Sequence, residues 1–270
     1  MPELPEVETT VRGLATVLEG RRLTRVEPRR ADLRRAIPAD LRQRITGATV
    51  TGLGRRAKYG LIDTDRGDTL IFHLGMSGRW RIDPEEVGPH DHLLIETDAG
   101  HRLALNDPRR FGSLDLVPTA ALADFPAFVA LGPEPFGPDF TAGLLLDRFR
   151  GRIAPVKLLL LDQRIVAGLG NIYVCEALNL SRINPRAPAG SLTRARLRRL
   201  VEAVRAVLEA AIAAGGSSLR DYARPDGQLG YFSSQFRVYG REGEPCPCGG
   251  IVLRQVDGGR STFWCPKCQR

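Results

Sequence analysis

Apolar positions near the start of the chain recur at helical spacing. Val7, Val11, Leu14 and Leu18 share one face, and Gly20 follows where a helix would stop. The pattern predicts a helix within residues 2–20, with Pro2 and Pro5 at its start, where a missing N–H costs least. Over residues 48–116 the period shortens to that of strands, with candidates at 48–53, 58–64, 69–75, 92–97, 101–106 and 113–117. Turn-forming residues separate several of them, such as Asp65-Arg66-Gly67-Asp68 and Asp98-Ala99-Gly100. Most connections are too short for parallel crossovers, so an antiparallel β-sandwich flanked by the first helix is expected.

Proline and glycine crowd residues 118–140, including Gly132-Pro133-Glu134-Pro135, which marks a domain junction. Helical periodicity then returns in 141–150, 153–162, 171–178 and 194–214. In the last of these Leu197, Leu200, Val201, Val204, Leu208 and Ile212 form one apolar stripe, and arginines fill the other faces. Residues 215–235 are rich in Gly and Ser without clear periodicity, the signature of a functional or disordered loop. A hairpin at 251–264, turning at Asp257-Gly258-Gly259-Arg260, closes the chain. The fold class is thus α+β: an N-terminal sandwich domain (1–131), a linker (132–140), a helical domain (141–235) and a terminal hairpin (236–270).

Composition adds function classes to this outline. Of the 270 residues 43% are apolar and 26% charged, which excludes a mostly disordered chain. No apolar run is long enough to span a bilayer and no secretory signal is visible, so a soluble, intracellular protein without a membrane partner is expected. The net charge of +8 suits a polyanion, most simply nucleic acid. Only three of the 39 cationic side chains are lysines, Lys58, Lys157 and Lys267. An ammonium can titrate and move protons and a guanidinium effectively cannot, so those three positions invite a chemical reason.

Cys175 stands alone and reads as a buried, inert thiol, whereas Cys246, Cys248, Cys265 and Cys268 cluster at the end of the chain. Sixteen residues separate the two pairs, the spacing of a zinc ribbon with one structural ion. The first pair, Cys246-Pro247-Cys248, has one intervening residue instead of two, so its turn must differ. At the other end, removal of Met1 would expose Pro2 as a secondary amine. An α-amine titrates near neutrality and is further deprotonated at the positive end of a helix. Glu3 is adjacent and Glu6 lies one helical turn on, which together supply the parts for imine formation with proton transfer. Plain capping of the helix start is the alternative.

The opening MPELPEVETTVRGL resembles that of bacterial formamidopyrimidine-DNA glycosylases. The likeness continues through RRAKYG (55–60), HLGMSG (73–78), NDPRRFG (106–112), LGPEP (131–135), GLGNIYVCEAL (168–178), VYGREGEPC (238–246) and GRSTFWCPKCQ (259–269). Its Pro-Glu-Leu-Pro-Glu-Val start is more similar to this branch than to the related endonuclease VIII branch. The resemblance implies a bifunctional glycosylase and abasic-site lyase acting on 8-oxoguanine and formamidopyrimidines in damaged double-stranded DNA. It implies that Pro2 attacks C1′, that Glu3 protonates the opening sugar, and that Lys58 serves the active site near the phosphate. It gives Arg260, at the hairpin tip, a phosphate contact and a part in elimination.

The target base must be flipped out of the duplex, and something must fill the hole. The resemblance assigns that task to Met76, Arg109 and Phe111, with Arg109 bonding the orphaned cytosine. Asn171, opening a helix–two-turn–helix element, His90 and Arg152 are the implied backbone contacts, and 215–235 the lesion-recognition loop. DNA is expected to cross a basic cleft between the domains, and the protein to act as a cytoplasmic monomer. The rival readings are an endonuclease VIII-like enzyme for oxidised pyrimidines and a non-catalytic damage-binding protein on the same scaffold.

Overall fold

The computed structural model describes residues 2–218 and 223–270, and the chain divides into two compact units. The first comprises Met1–Val129 and Ile212–Tyr231, the second Ala130–Ala211 and Phe232–Arg270.

In the first unit, α1 (Leu4–Leu18) ends before Gly20, whose φ of +73° only a glycine adopts freely. Its apolar face, Val7, Val11, Leu14 and Leu18, is buried as the periodicity predicts. The strands are β1 (Leu23–Pro28), β2 (Val50–Arg56), β3 (Tyr59–Thr64), β4 (Asp68–His73), β5 (Arg79–Ile82), β6 (Asp91–Thr97), β7 (Arg102–Asn106) and β8 (Ser113–Pro118). A short α2 (Leu41–Ile45) lies between β1 and β2, and α3 (Pro126–Val129) follows β8. Two antiparallel four-stranded sheets result, in the orders β1-β6-β7-β5 and β2-β3-β4-β8. Their inner faces share one core with α1, in which Phe72 of β4 meets Trp80 of β5 edge-to-face at 5.6 Å.

The pattern misses β1, β5 and α2. Thr24-Arg25 in β1 and Arg79-Trp80-Arg81 in β5 put only one or two apolar side chains inward, too few for an alternation to register. Segment Ile212–Tyr231 packs with the first unit, although 215–235 reads as part of the helical domain. Pro225 explains this: its ring covers Gly13 of α1, and its carbonyl accepts the Ile82 N–H at 2.9 Å. Residues 219–222 of the expected recognition loop lie outside the described residues.

The second unit holds α4 (Ala142–Phe149), α5 (Val156–Leu160), α6 (Asn171–Leu180) and most of α7 (Arg194–Ala213), then the hairpin β9 (Leu253–Asp257) and β10 (Arg260–Trp264). The hairpin groups with this unit. Cys175 of α6 is buried in one cluster with Val238, Val252, Cys246 and Cys265. Glu176 beside it is buried, and its carboxylate accepts the N–H groups of Arg237, Val238 and Tyr239 at 2.8–3.0 Å. Among the described residues no helix is long and apolar enough to cross a membrane.

Candidate active site and nucleic-acid interface

The start of α1 gathers Pro2, Glu3 and Glu6, all buried. Glu6 Oε2 accepts the Glu3 N–H at 2.9 Å, and Oε1 accepts the Ser217 N–H at 2.8 Å. Both Glu6 oxygens therefore hold backbone, one at the helix start and one at Ser217. Glu3 is 3% exposed, so its carboxyl faces little water. Met1 lies outside the described residues.

Lys58 sits in the tight turn between β2 and β3, where Arg56 and Tyr59 pair. The turn forces Ala57 to φ +53°, a conformation that a side chain with a Cβ adopts only when its surroundings impose it. Arg55 imposes it: Nη1 donates to the Ala57 carbonyl at 2.8 Å while Nε bonds Glu8 of α1 at 3.0 Å. Lys58 is 7% exposed and sits on a hairpin braced against α1. Such burial does not fit an ordinary surface lysine on a strand.

His73, at the end of β4, is brought down to about 4 by burial first, and then by the charges of Lys58, Arg34 and Arg35. Its Nδ1 accepts the Gly75 N–H at 3.1 Å, which only the neutral ring can do. In the unfolded chain the ring takes a proton near 6.5, so between pH 6.5 and 4 the unfolded state binds more protons. Stability is therefore full above about pH 6.5 and declines as the pH falls toward 4, by up to about 3 kcal/mol. Urea unfolding of His73→Gln between pH 7.5 and 4.5 should show a correspondingly flatter decline. A parallel decline in both proteins would place the acid sensitivity elsewhere.

Met76 and Phe111 are 39% and 43% exposed, which rules against the core role that their apolarity alone would give them. Arg109 is exposed, and its guanidinium carbon lies 4.7 Å over the Phe111 ring. The structure thus brings the three void-filling candidates together on two adjacent loops of one unit. His90 is exposed beside them, its carbonyl accepting the Asp107 N–H at 2.9 Å, while His92 is buried with Nε2 on the Asp107 carbonyl.

In the second unit Gly258 and Gly259 both take positive φ, which closes a two-residue turn and places Arg260, exposed, at the start of β10. The carbonyl of the next residue, Ser261, accepts from Asn171 Nδ2 at 2.8 Å and from Lys157 Nζ at 3.1 Å. Lys157 also donates to Thr262 Oγ1 at 2.7 Å and is fully buried. Burial lowers its pKa, with Arg260 pushing the same way against Cys175 and Asp257. The lysine that composition singles out thus ties α5 to the strand carrying Arg260. Asn171 opens α6 after Gly168-Leu169-Gly170 as expected, and one of its amide hydrogens is committed to the hairpin. Arg152 is exposed on the turn after α4.

The four terminal cysteines place their sulfurs within 4.8 Å of one another, with Cys248–Cys265 at 3.5 Å and Cys246–Cys268 at 3.9 Å. A tetrahedral zinc with bonds of about 2.3 Å needs sulfurs about 3.8 Å apart, so the donors fit that ion. The Gly250 N–H lowers the Cys248 thiol to about 7 while burial raises the Cys265 and Cys268 thiols, so a bound cation is what would hold all four as thiolates. The shortened Cys246-Pro247-Cys248 turn is accommodated by Gly249 at φ +75° and by the Cys246 N–H bonded to the Gly250 carbonyl at 2.7 Å. These four residues make a structural zinc site.

The sequence reading does not assign Lys157, Glu176, Asp107 or Ser217. Lysine scarcity flags the first. The others carry no signal, because their roles are contacts made across long sequence separations.

Three family models match the chain in order. Residues 1–114 match the formamidopyrimidine-DNA glycosylase N-terminal domain, 131–223 its H2TH domain, and 243–270 a zinc finger found in FPG and IleRS. The chain is 71% identical over 270 residues to the formamidopyrimidine-DNA glycosylase of Rhizorhabdus wittichii, covering 100% of both. A Lactococcus lactis FPG mutant in complex with Fapy-dG-containing DNA superposes with a TM-score of 0.91 at 34% identity, again over 100% of both chains. The MutM protein of Thermus thermophilus superposes at 0.87 with 41% identity, over 99% of this chain and 98% of that one. Whole-length identity at this level leaves no segment outside the match: the chain belongs to the formamidopyrimidine-DNA glycosylase family.

Proposed function

We propose that this chain excises 8-oxoguanine and formamidopyrimidines from duplex DNA and then cleaves the strand at the resulting abasic site. The observation that carries the reading is the buried helix start, where Pro2 stands next to Glu3 and Glu6 holds the Glu3 N–H. The Pro2 nitrogen attacks C1′, and the glycosidic bond breaks as the base leaves with its electron pair and a proton. Glu3 gives a proton to the ring oxygen as the sugar opens, leaving an iminium between Pro2 and C1′. The iminium acidifies the C2′ hydrogens, so loss of one expels the 3′ phosphate; the conjugated iminium that results acidifies the C4′ hydrogen, whose loss expels the 5′ phosphate, and water releases the sugar fragment. Lys58, buried on its braced turn, serves this site. Arg260, on the strand that buried Lys157 holds from behind, and Asn171 meet the phosphates.

Glu6 acts by holding the helix start and not by carrying protons, since both its oxygens already accept backbone N–H groups. Asn171, His90 and Arg152 are the further backbone contacts. The domain reading keeps its N-terminal catalytic domain and helical domain, with the recognition loop joined to the first. The partner is damaged double-stranded DNA, met by a monomer in the cytoplasm.

Borohydride reduction of the iminium on an 8-oxoguanine duplex tests the reading directly. A covalent protein–DNA adduct is expected. Its absence would leave the scaffold as a damage-binding protein, and preferential trapping on thymine glycol would move the substrate class to oxidised pyrimidines.

Arg109 gives a second check. A bidentate contact to the orphan base contributes about 1–3 kcal/mol of discrimination. Arg109→Ala should therefore compress the ratio of excision opposite cytosine to excision opposite adenine about tenfold or more, by that same principle. An unchanged opposite-base profile would make Arg109 a surface residue.

A further inference from the structure

The residues that fill the void sit on two loops, 74–78 after β4 and 107–112 after β7, and neither loop is held by strand pairing. Asp107 joins them. It is 1% exposed, and its Oδ1 accepts the Ser77 hydroxyl at 2.6 Å. That hydroxyl oxygen in turn accepts the Arg109 N–H at 3.2 Å. The other carboxylate oxygen, Oδ2, accepts the Gly112 N–H at 2.8 Å. The Asp107 carbonyl accepts the Arg110 N–H at 3.2 Å and a hydrogen from His92 Nε2 at 2.9 Å.

The loops also touch backbone to backbone. Gly75 is at φ +62°, and a Cβ there would stand 2.4 Å from the Phe111 carbonyl carbon. Each exposed side chain is thereby flanked by an anchor: Met76 by Ser77, Arg109 by its own N–H, and Phe111 by Gly112. One buried carboxylate fixes the backbone at all of them while the three side chains stay outside.

We propose that Asp107, acting through Ser77, is a positioning residue that locks the two loops into one preformed wedge. It touches no DNA. Its effect is that Met76, Arg109 and Phe111 enter the duplex together, without ordering two independent loops at the moment the base leaves the stack. The inference rests on the assignment of those three side chains to the void.

Ser77→Ala removes the hydroxyl link with little change in volume, and Asp107→Asn weakens both arms. The readouts are single-turnover excision of 8-oxoguanine opposite cytosine and opposite adenine in duplexes, and borohydride trapping on a single-stranded abasic oligonucleotide. A single strand has no opposite base and no void, so trapping there reports the Pro2 chemistry alone. Ser77→Ala should slow duplex excision about tenfold, the scale of one buried hydrogen bond to a charged group, and narrow the opposite-base ratio. At a temperature below both thermal midpoints its single-strand trapping should match the unmodified protein, the variant's midpoint being the lower because Asp107 Oδ1 loses a buried donor. Should Asp107→Asn fail to fold, Ser77→Ala decides alone.

Undiminished duplex excision by Ser77→Ala, or an equal loss on duplex and single strand, overturns the inference. Arg109→Ala and Met76→Ala separate the two levels. If they impair duplex excision and Ser77→Ala does not, the wedge stands and the Asp107 link falls. If they too leave excision and base preference unchanged, the void assignment falls and takes the inference with it.

Discussion

A single residue retained ahead of Pro2 should abolish base excision and adduct trapping. An amide nitrogen has no nucleophilic lone pair, so the secondary amine that starts the reaction is lost, not merely displaced. The expected fall in single-turnover excision is at least about 10³-fold, which corresponds to roughly 4 kcal/mol of lost transition-state stabilisation. Duplex binding should survive, because the loops bearing Met76, Arg109 and Phe111 and the Ser77–Asp107 contacts are built without the N-terminus. Mass spectrometry of the intact chain reports whether Met1 is removed. Robust trapping by protein whose N-terminus is demonstrably blocked would overturn the assignment and point instead to a lysine, with buried Lys58 first in line.

Loss of the zinc site should remove DNA binding and leave the first unit folded. The hairpin buries little apolar surface of its own: Leu253 and Val256 are exposed, and the cluster around Val238, Val252 and the cysteines adds only partly buried Tyr239 and Phe263. Structural zinc contributes about 10–16 kcal/mol in isolated zinc-finger peptides, far more than such a core supplies. Cys265→Ser, or chelation, should therefore release the hairpin and with it Arg260, despite the contacts of Lys157 and Asn171 to Ser261. Duplex affinity should fall at least about tenfold, since a phosphate-contacting arginine and its neighbours lose their register. The cysteines belong to a different buried cluster from the sandwich core, so the unfolding transition of that core should persist. Elemental analysis with a fluorescence titration on duplex DNA checks both halves. Well under one zinc per chain in protein that still binds and cleaves 8-oxoguanine duplexes would sink the claim.

Much of this architecture is set by local pattern. The α1 stripe, the α7 stripe and the strands that alternate cleanly are legible because each buries one face against one core, and that face repeats with the period of its own backbone. The Gly258-Gly259 turn is legible because its two positive-φ positions demand glycine. The cysteine cluster is legible from spacing, and Pro2 with Glu3 from their place at a helix start. Strands β1 and β5 are not, because each turns only one or two apolar side chains inward, too few to register, while tertiary packing still recruits Val26 and Trp80.

Other features exist only in three dimensions. Glu6 reads as a carboxylate beside the helix start, and the fold alone brings the Ser217 N–H to its oxygen across 211 positions. Segment Ile212–Tyr231 joins the sandwich unit because Pro225 finds Gly13 and Ile82 there, contacts that no local window contains. Lys157 stands out by its rarity, and only the packed structure gives it Ser261 and Thr262 as partners. What the sequence by itself determined are the elements whose hydrogen bonds and buried faces close within a short stretch of chain, together with the chemistry of the residue types. What only the tertiary structure decided is which buried polar group meets which. A desolvated carboxylate or ammonium must find its donors or acceptors wherever the fold brings them, and the separation in sequence plays no part in that choice.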